Sequence, residues 1–177
     1  MFGGEITGLD SSENSAPYPT AVSNRGTFNL CGGKITGNKS HAVYNENATM
    51  NLYGGEISGN DTTYTDASAG AAVVLGPGST LNMSGGAIKD NISNTLGGGV
   101  YVKGLQSRSS TMNFSGGEIS GNRVNSTNDD LGFDGGGGVY VDLYATLDLS
   151  GTARISGNYA CAADYKESAT FGGGFGG

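Results

Sequence analysis

Hydrophobic and polar residues alternate in one short phrase that recurs five times along the chain. The copy at 27–38 shows its parts: Thr-apolar-Asn-apolar, a Gly-Gly corner, a short segment centred on an isoleucine, and a final Gly-Asn. The other copies occupy 49–60, 80–91, 111–122 and 146–158, and a truncated copy opens the chain at 3–8. A repeat of this length is the signature of a solenoid, in which stacked coils bury one shared core.

Each coil is predicted to contain three β-strands whose side chains alternate between core and surface. The first strand carries flanking valines, the second carries the paired apolar residues of the Thr-x-Asn phrase, and the third carries the isoleucine. These apolar side chains are expected to point inward, with Ile35, Ile57, Ile88 and Ile119 in one buried ladder. The chain is therefore expected to be a single all-β domain, residues 1–177, of about six three-strand coils.

Two corners of the coil are predicted to have their own chemistry. The Gly-Gly pair permits positive φ at a tight bend, and one extra residue at this corner in the final copy predicts a bulge. At the next corner the usual glycine is once replaced by Asp90, a residue type that tolerates the left-handed conformation. The asparagines that follow this corner are predicted to form a hydrogen-bonded ladder: Asn38, Asn60, Asn91, Asn122 and Asn158.

The spacing between copies varies, which indicates insertions at one corner of a constant coil. The segments 9–20, 61–70, 123–136 and 159–171 are rich in Ser, Thr, Asn, Asp and Gly and are predicted to be loops. Insertions that collect on one face of a solenoid often mark its binding face.

Composition and charge remove several classes of function. Glycine accounts for 34 of 177 residues, but the apolar residues are periodic, which favours a folded chain over a disordered tract. The net charge of −7 argues against a nucleic-acid surface, and no apolar run reaches the ~20 residues of a membrane span. Cys31 and Cys161 are predicted to lie roughly 20 Å apart along the axis, too far for a disulfide, so both are expected to be free thiols.

The two ends of the sequence carry partial repeats. Residues 1–4 and 171–177 read as incomplete strands, and no polar capping repeat flanks them. Open strand edges pair with other chains, so end-to-end association or fraying is expected. An export signal or anchor is expected to lie outside this sequence.

Segments 97–102 (GGGVYV) and 111–122 (TMNFSGGEISGN) resemble the repeats of right-handed parallel β-helices in large bacterial surface proteins. They are similar, more distantly, to polymorphic outer-membrane protein repeats, whose first motif Gly85–Ile88 matches and whose Phe-x-x-Asn motif is Ile-x-x-Asn here. The resemblance covers nearly the whole chain. It implies a right-handed parallel β-helix, extracellular or at the cell surface, and this pectate-lyase-like fold hosts both enzymes and inert stalks.

Acidic residues of the largest insertion are the best candidates for site chemistry. Asp129, Asp130 and Asp134 could hold calcium as a cofactor, or act as acid and base. Their spacing matches no calcium-loop pattern and no basic residue recurs beside them, which favours solvated loop charges. No catalytic residue is assigned.

Three outward features are candidate contact residues. Tyr44, Tyr101 and Tyr140 are predicted to stack on the first strand with accessible rings, suited to a sugar or a partner protein. Plain cross-strand stabilisation of the sheet is the favoured explanation for them. The second strand presents a Thr-x-Asn array of the kind that ice-binding solenoids display, broken by Asp148. His41, the single histidine, is expected at the surface or at a corner.

These observations favour a non-catalytic extracellular segment of a bacterial surface protein, acting as a stalk or as an adhesion module that contacts a glycan or a protein. A polysaccharide-binding or polysaccharide-cleaving β-helix is the alternative, and an ice-binding solenoid is a third. An enzyme would need charged residues that converge on one groove, whereas the strand faces show mostly Ser, Thr, Asn and Gly.

Overall fold

The computed structural model describes residues 1–11, 19–63, 71–126 and 135–162. These residues form nineteen short β-strands and no helix, so none of the described segments is a helix that could span a membrane. The strands make four sheets, and every strand pair is parallel. The predicted all-β parallel β-helix is therefore confirmed.

Three of the sheets take one strand from each successive coil and are named here by the residue that marks them. The valine sheet has the order β16 (Val139–Val141), β12 (Val100–Val102), β8 (Val73–Leu75), β5 (His41–Asn45) and β2 (Thr20–Asn24). The threonine sheet has the order β17 (Ala145–Leu149), β13 (Ser110–Phe114), β9 (Thr80–Met83), β6 (Thr49–Leu52) and β3 (Thr27–Leu30). The isoleucine sheet has the order β1 (Glu5–Ile6), β4 (Lys34–Thr36), β7 (Glu56–Ser58), β10 (Ala87–Lys89), β14 (Glu118–Ser120) and β18 (Arg154–Ser156).

One apolar core runs between these three sheets. Strand pairing aligns Ile35, Ile57, Ile88 and Ile119 in successive coils, and all four are fully buried. The inward residues of the other two sheets complete each layer of the core, among them Val43, Leu52, Val73, Met83, Val100 and Phe114. Because each buried aliphatic side chain contributes ~1.5–3 kcal/mol, the stacking of coils stabilises a chain that no single coil could hold folded.

The glycine corners adopt the left-handed conformations that the sequence predicts. Asp90, which replaces a glycine, has φ 55, close to the φ of 63 at Gly121 in the next coil. In the last copy the extra residue is taken up in a turn at Gly151 (φ 60), where the Ala153 N–H donates to the Ser150 carbonyl at 3.2 Å. The strand that follows therefore keeps its register with the coil before it.

A fourth sheet corrects the loop assignment of two segments. It has the order β11 (Ile92–Ser93), β15 (Arg123–Ser126) and β19 (Tyr159–Ala162), so the predicted loops at 123–136 and 159–171 both begin as strands. The cause lies in the corner before them: the Arg123 and Tyr159 N–H groups each donate to an asparagine carbonyl of the preceding coil at 2.8 Å. Parallel pairing that starts at the corner then continues for two to four residues.

Candidate functional site

The asparagines at the second corner form one continuous ladder, which is fully buried except at the half-buried Asn158. Each side-chain Nδ2 donates to the Oδ1 of the asparagine in the next coil, at 2.9 Å from Asn38, Asn60 and Asn91 and at 3.0 Å from Asn122. The same Oδ1 atoms accept the backbone N–H of the preceding asparagine, and the Nδ2 groups also reach isoleucine carbonyls of the preceding coil. Because both ends of each amide are used, this ladder holds the corner together and offers nothing to a ligand.

The tyrosine row lies in register on the outer face of the valine sheet, with Val74 between Tyr44 and Tyr101. The row packs with Ala71 and Leu96 into a second apolar cluster outside the main core. Tyr101 is only 5% exposed, its hydroxyl donates to Asp142 Oδ2 at 2.9 Å, and its ring meets Tyr140 edge-on with centroids 5.4 Å apart. The expectation of an accessible ring is therefore wrong for Tyr101, while Tyr44 and Tyr140 are half-buried.

His41 is fully buried at the start of β5, so of the two positions expected for it, at the surface or at a corner, the surface position is wrong. Its Nδ1 lies 2.6 Å from the carbonyl oxygen of Ala71, a member of the outer apolar cluster. Since a carbonyl only accepts, Nδ1 carries the proton, and Nε2 carries a buried lone pair that has no hydrogen-bond partner among the described residues. Burial lowers the pKa of His41 below its ordinary value, although the bond to Ala71 opposes the shift. The neutral ring is a packing element of the coil.

The acidic candidates Asp129, Asp130 and Asp134 lie outside the described residues. Elsewhere, in the ranges that the structure does describe, no group of three or more His, Cys, Asp or Glu side chains is placed to hold a metal ion. Cys31 is a free thiol, and Cys161 lies in β19.

Charged residues alternate on the outer face of the isoleucine sheet. Lys34 lies between Glu5 and Glu56 in the strand register, but the ion pair of Glu56 is with Lys89 at 3.2 Å. The Ser58 hydroxyl, which donates to Glu56 at 2.6 Å, lowers the pKa of that carboxyl, and Lys89 and Lys34 add to the shift. These contacts pair neighbouring coils and leave no carboxylate pair poised for catalysis among them.

The most regular exposed surface is the outer side of the threonine sheet, called the Thr-Asn face here. Its two rows pair in register from coil to coil and consist of Thr27, Thr49, Thr80, Thr111 and Thr146, and of Asn29, Asn51, Asn82, Asn113 and Asp148. Inward residues alternate with these rows, so all the polar groups stand on the same side of the sheet.

A second amide ladder runs along this face, and the sequence pattern did not reveal its bonding. Asn51, Asn82 and Asn113 each donate through Nδ2 to the Oδ1 of the asparagine in the preceding coil, at 2.7, 2.8 and 2.8 Å. The direction is opposite to that of the corner ladder, in which donors point to the following coil. These bonds hold the amides in a straight row across the strands, with a spacing equal to that of the strands, about 4.8 Å.

A third outward row borders the asparagines at the end of each strand. It contains Cys31, Tyr53, Ser84, Ser115 and Ser150. Tyr53 is the aromatic member of this row, and it is 55% exposed. The one signal in the sequence that could have pointed to Tyr53 is that a tyrosine stands where the other coils have a cysteine or a serine.

No family model, curated protein or solved structure matches this chain. What the chain does is therefore argued from its own residues.

Proposed function

We propose that the chain is a non-catalytic, extracellular β-helix segment of a bacterial surface protein, serving as a stalk or as an adhesion module. One observation carries the proposal: two asparagine ladders and one apolar core run from coil to coil through the stack. Each coil is bonded only to its neighbours, so such a stack can be lengthened by adding coils, which suits a spacer or a display scaffold. The resemblance of segments 97–102 and 111–122 to bacterial surface repeats supports the extracellular setting.

The polar side chains also support a role in scaffolding over one in catalysis. The amide groups of the corner asparagines are hydrogen-bonded within the ladder. Glu56 is bonded to Ser58 and Lys89, and Asp142 is bonded to Tyr101. Bonds of this kind fix the stack but leave these groups little freedom to transfer protons. The exposed hydroxyls and amides of the Thr-Asn face suit contact with a surface.

The experiment has two parts. Beads coated with the protein should adhere to glycan- or cell-coated plates more than beads coated with a β-helix-free protein of equal charge. Incubation with a panel of neutral and acidic glycans, with and without calcium, should release no reducing ends or unsaturated products. Product release that is lost in Asp129→Asn or Asp130→Asn would overturn the non-catalytic proposal and establish the polysaccharide-cleaving alternative.

A further inference from the structure

We infer that the Thr-Asn face binds a neutral, extended polysaccharide, with the chain lying along the solenoid axis and the ring of Tyr53 stacking on one sugar. This inference deepens the proposed function, since it names the ligand and the surface of the same non-catalytic module. It stands on four properties of the face: unused hydrogen-bonding groups, size, charge and an exposed aromatic ring.

The face has hydrogen-bonding capacity that the protein does not use. Asn51, Asn82 and Asn113 each give one N–H to a neighbouring amide, so each keeps a second N–H that no described residue accepts. No described residue bonds the hydroxyls of the threonine row, which both donate and accept. Sugar hydroxyls likewise donate and accept, so a polysaccharide can satisfy both rows without desolvating a charge.

The dimensions favour one polymer chain over a protein partner. Five strands spaced by ~4.8 Å and three outward rows with a rise of ~3.3 Å per residue give a patch of roughly 250 Å². Stable protein interfaces bury about 800 Å² on each partner, which is several times more. A single extended sugar chain is narrow enough to lie along these three rows and long enough to run the length of the patch.

Charge and aromatic content point to a neutral sugar. Asp148 is the single formally charged residue among the three outward rows of the threonine sheet, and it disfavours an acidic glycan. Tyr53 stands beside the amide ladder with 55% of its surface exposed. An aromatic face next to amides and hydroxyls stacks on the C–H face of a sugar ring while the polar groups bind its edge.

The repeat of the face also predicts how affinity depends on ligand length. Because the coils repeat every ~4.8 Å, roughly one sugar residue lies over each coil. Affinity should rise with each sugar added until the chain covers the face, at about five residues, and should then level off. A site formed by one loop would bind a disaccharide as well as a hexasaccharide.

The test measures binding of the whole chain to β-1,4-linked glucose, mannose and N-acetylglucosamine oligomers of two to eight sugars, by calorimetry. Oligogalacturonate serves as the acidic comparison. Tyr53→Ala and Thr111→Lys should each weaken binding of the best neutral hexasaccharide by at least tenfold. Two matched controls lie away from the face: Tyr159→Ala removes an exposed tyrosine from β19, and Ser120→Lys adds a lysine to the isoleucine sheet. Both should bind as the unchanged protein does.

Each other outcome is informative. Binding that survives Tyr53→Ala and Thr111→Lys in proteins with unchanged circular dichroism would overturn the site, and no binding to any neutral oligomer would overturn the ligand. Slowed ice growth that Thr111→Lys abolishes would assign the face to ordered water instead. Adhesion of coated beads without oligomer binding would leave the module's proposed function standing while this inference fails, whereas oligomer cleavage would end the proposed function itself.

Discussion

The clearest test of the fold compares one asparagine from each ladder, Asn91 and Asn82. Both stand in the middle of an amide ladder, but Asn91 is fully buried at the corner and Asn82 is partly exposed on the Thr-Asn face. The two substitutions, Asn91→Ala and Asn82→Ala, remove the same atoms and differ in what surrounds them. The comparison therefore separates the effect of burial from that of the residue type.

The magnitude for Asn91 follows from the bonds it loses. Its Oδ1 accepts from both the backbone N–H and the Nδ2 of Asn60, at 3.0 and 2.9 Å, and its Nδ2 donates to Ile57 O and to Asn122 Oδ1. Asn60 Nδ2 keeps two carbonyl partners, but the Asn60 backbone N–H loses the acceptor it has here. One orphaned buried donor costs ~1–3 kcal/mol and a lost buried bond ~0.5–1.5 kcal/mol. Asn91→Ala should therefore lower the free energy of unfolding by about 3 kcal/mol.

The same deletion at Asn82 should cost much less. It removes two side-chain bonds, to Asn51 and Asn113, whose amides can turn to water. We expect less than about 1 kcal/mol. Chemical unfolding followed by circular dichroism gives both values, and about 3 kcal/mol corresponds to a fall in Tm of roughly 6–12 °C for a chain of this size. Equal losses for the two variants would show that the corner ladder contributes turn geometry alone.

Three further predictions use other parts of the structure. Burial lowers the pKa of His41 below 6.5, so at a pH between the folded and the unfolded pKa only the unfolded chain binds this proton. The free energy of unfolding should therefore lose nothing through His41 above pH 6.5, fall as the pH drops from 6.5 towards the folded pKa, and lose no more through this group below it. His41→Asn should remove this fall, and an unchanged pH profile would contradict the prediction. Gly59→Ala should lower the free energy of unfolding by about 1–2 kcal/mol through its φ of 60 alone. Gly86→Ala should lower it clearly more, because the new Cβ would lie 2.8 Å from a backbone carbonyl oxygen, and equal melting temperatures of the two variants would refute this contrast. If copies stack end to end, sedimentation should show association that grows with concentration. Leu149→Lys should weaken it, because this side chain is 55% exposed in the last coil that the structure describes, and a monomer at every concentration would count against stacking.

The coil and its register could be predicted because the repeat contains their physical cause. Alternation with period two decides which side of a strand is buried, and identical phrases bring identical residues into the same layer. The isoleucines, the corner asparagines and Asp90 were therefore identifiable from the sequence alone. Each is placed by local backbone geometry and by contact with its own counterpart in the next coil.

The fourth sheet and the outer apolar cluster were missed because their causes lie outside the phrase. Arg123 and Tyr159 begin strands through backbone bonds to asparagines of the preceding coil, which no pattern of side chains records. Tyr101 points away from the core, and the alternation rule makes such a position exposed. Ala71 and other apolar side chains pack over this side of the valine sheet and close it from solvent.

The two asparagine ladders show how one chemistry serves two roles in this chain. At the corner, the amide oxygens and nitrogens of Asn60 and Asn91 are all bonded and fully buried, so the ladder fixes the stack and cannot bind anything else. On the Thr-Asn face, each bonded amide keeps a second N–H that no described residue accepts. Since loss of an exposed bond costs little and loss of a buried one costs several times more, the face can change its ligand without loss of the fold. Binding and stability are therefore separable in this module.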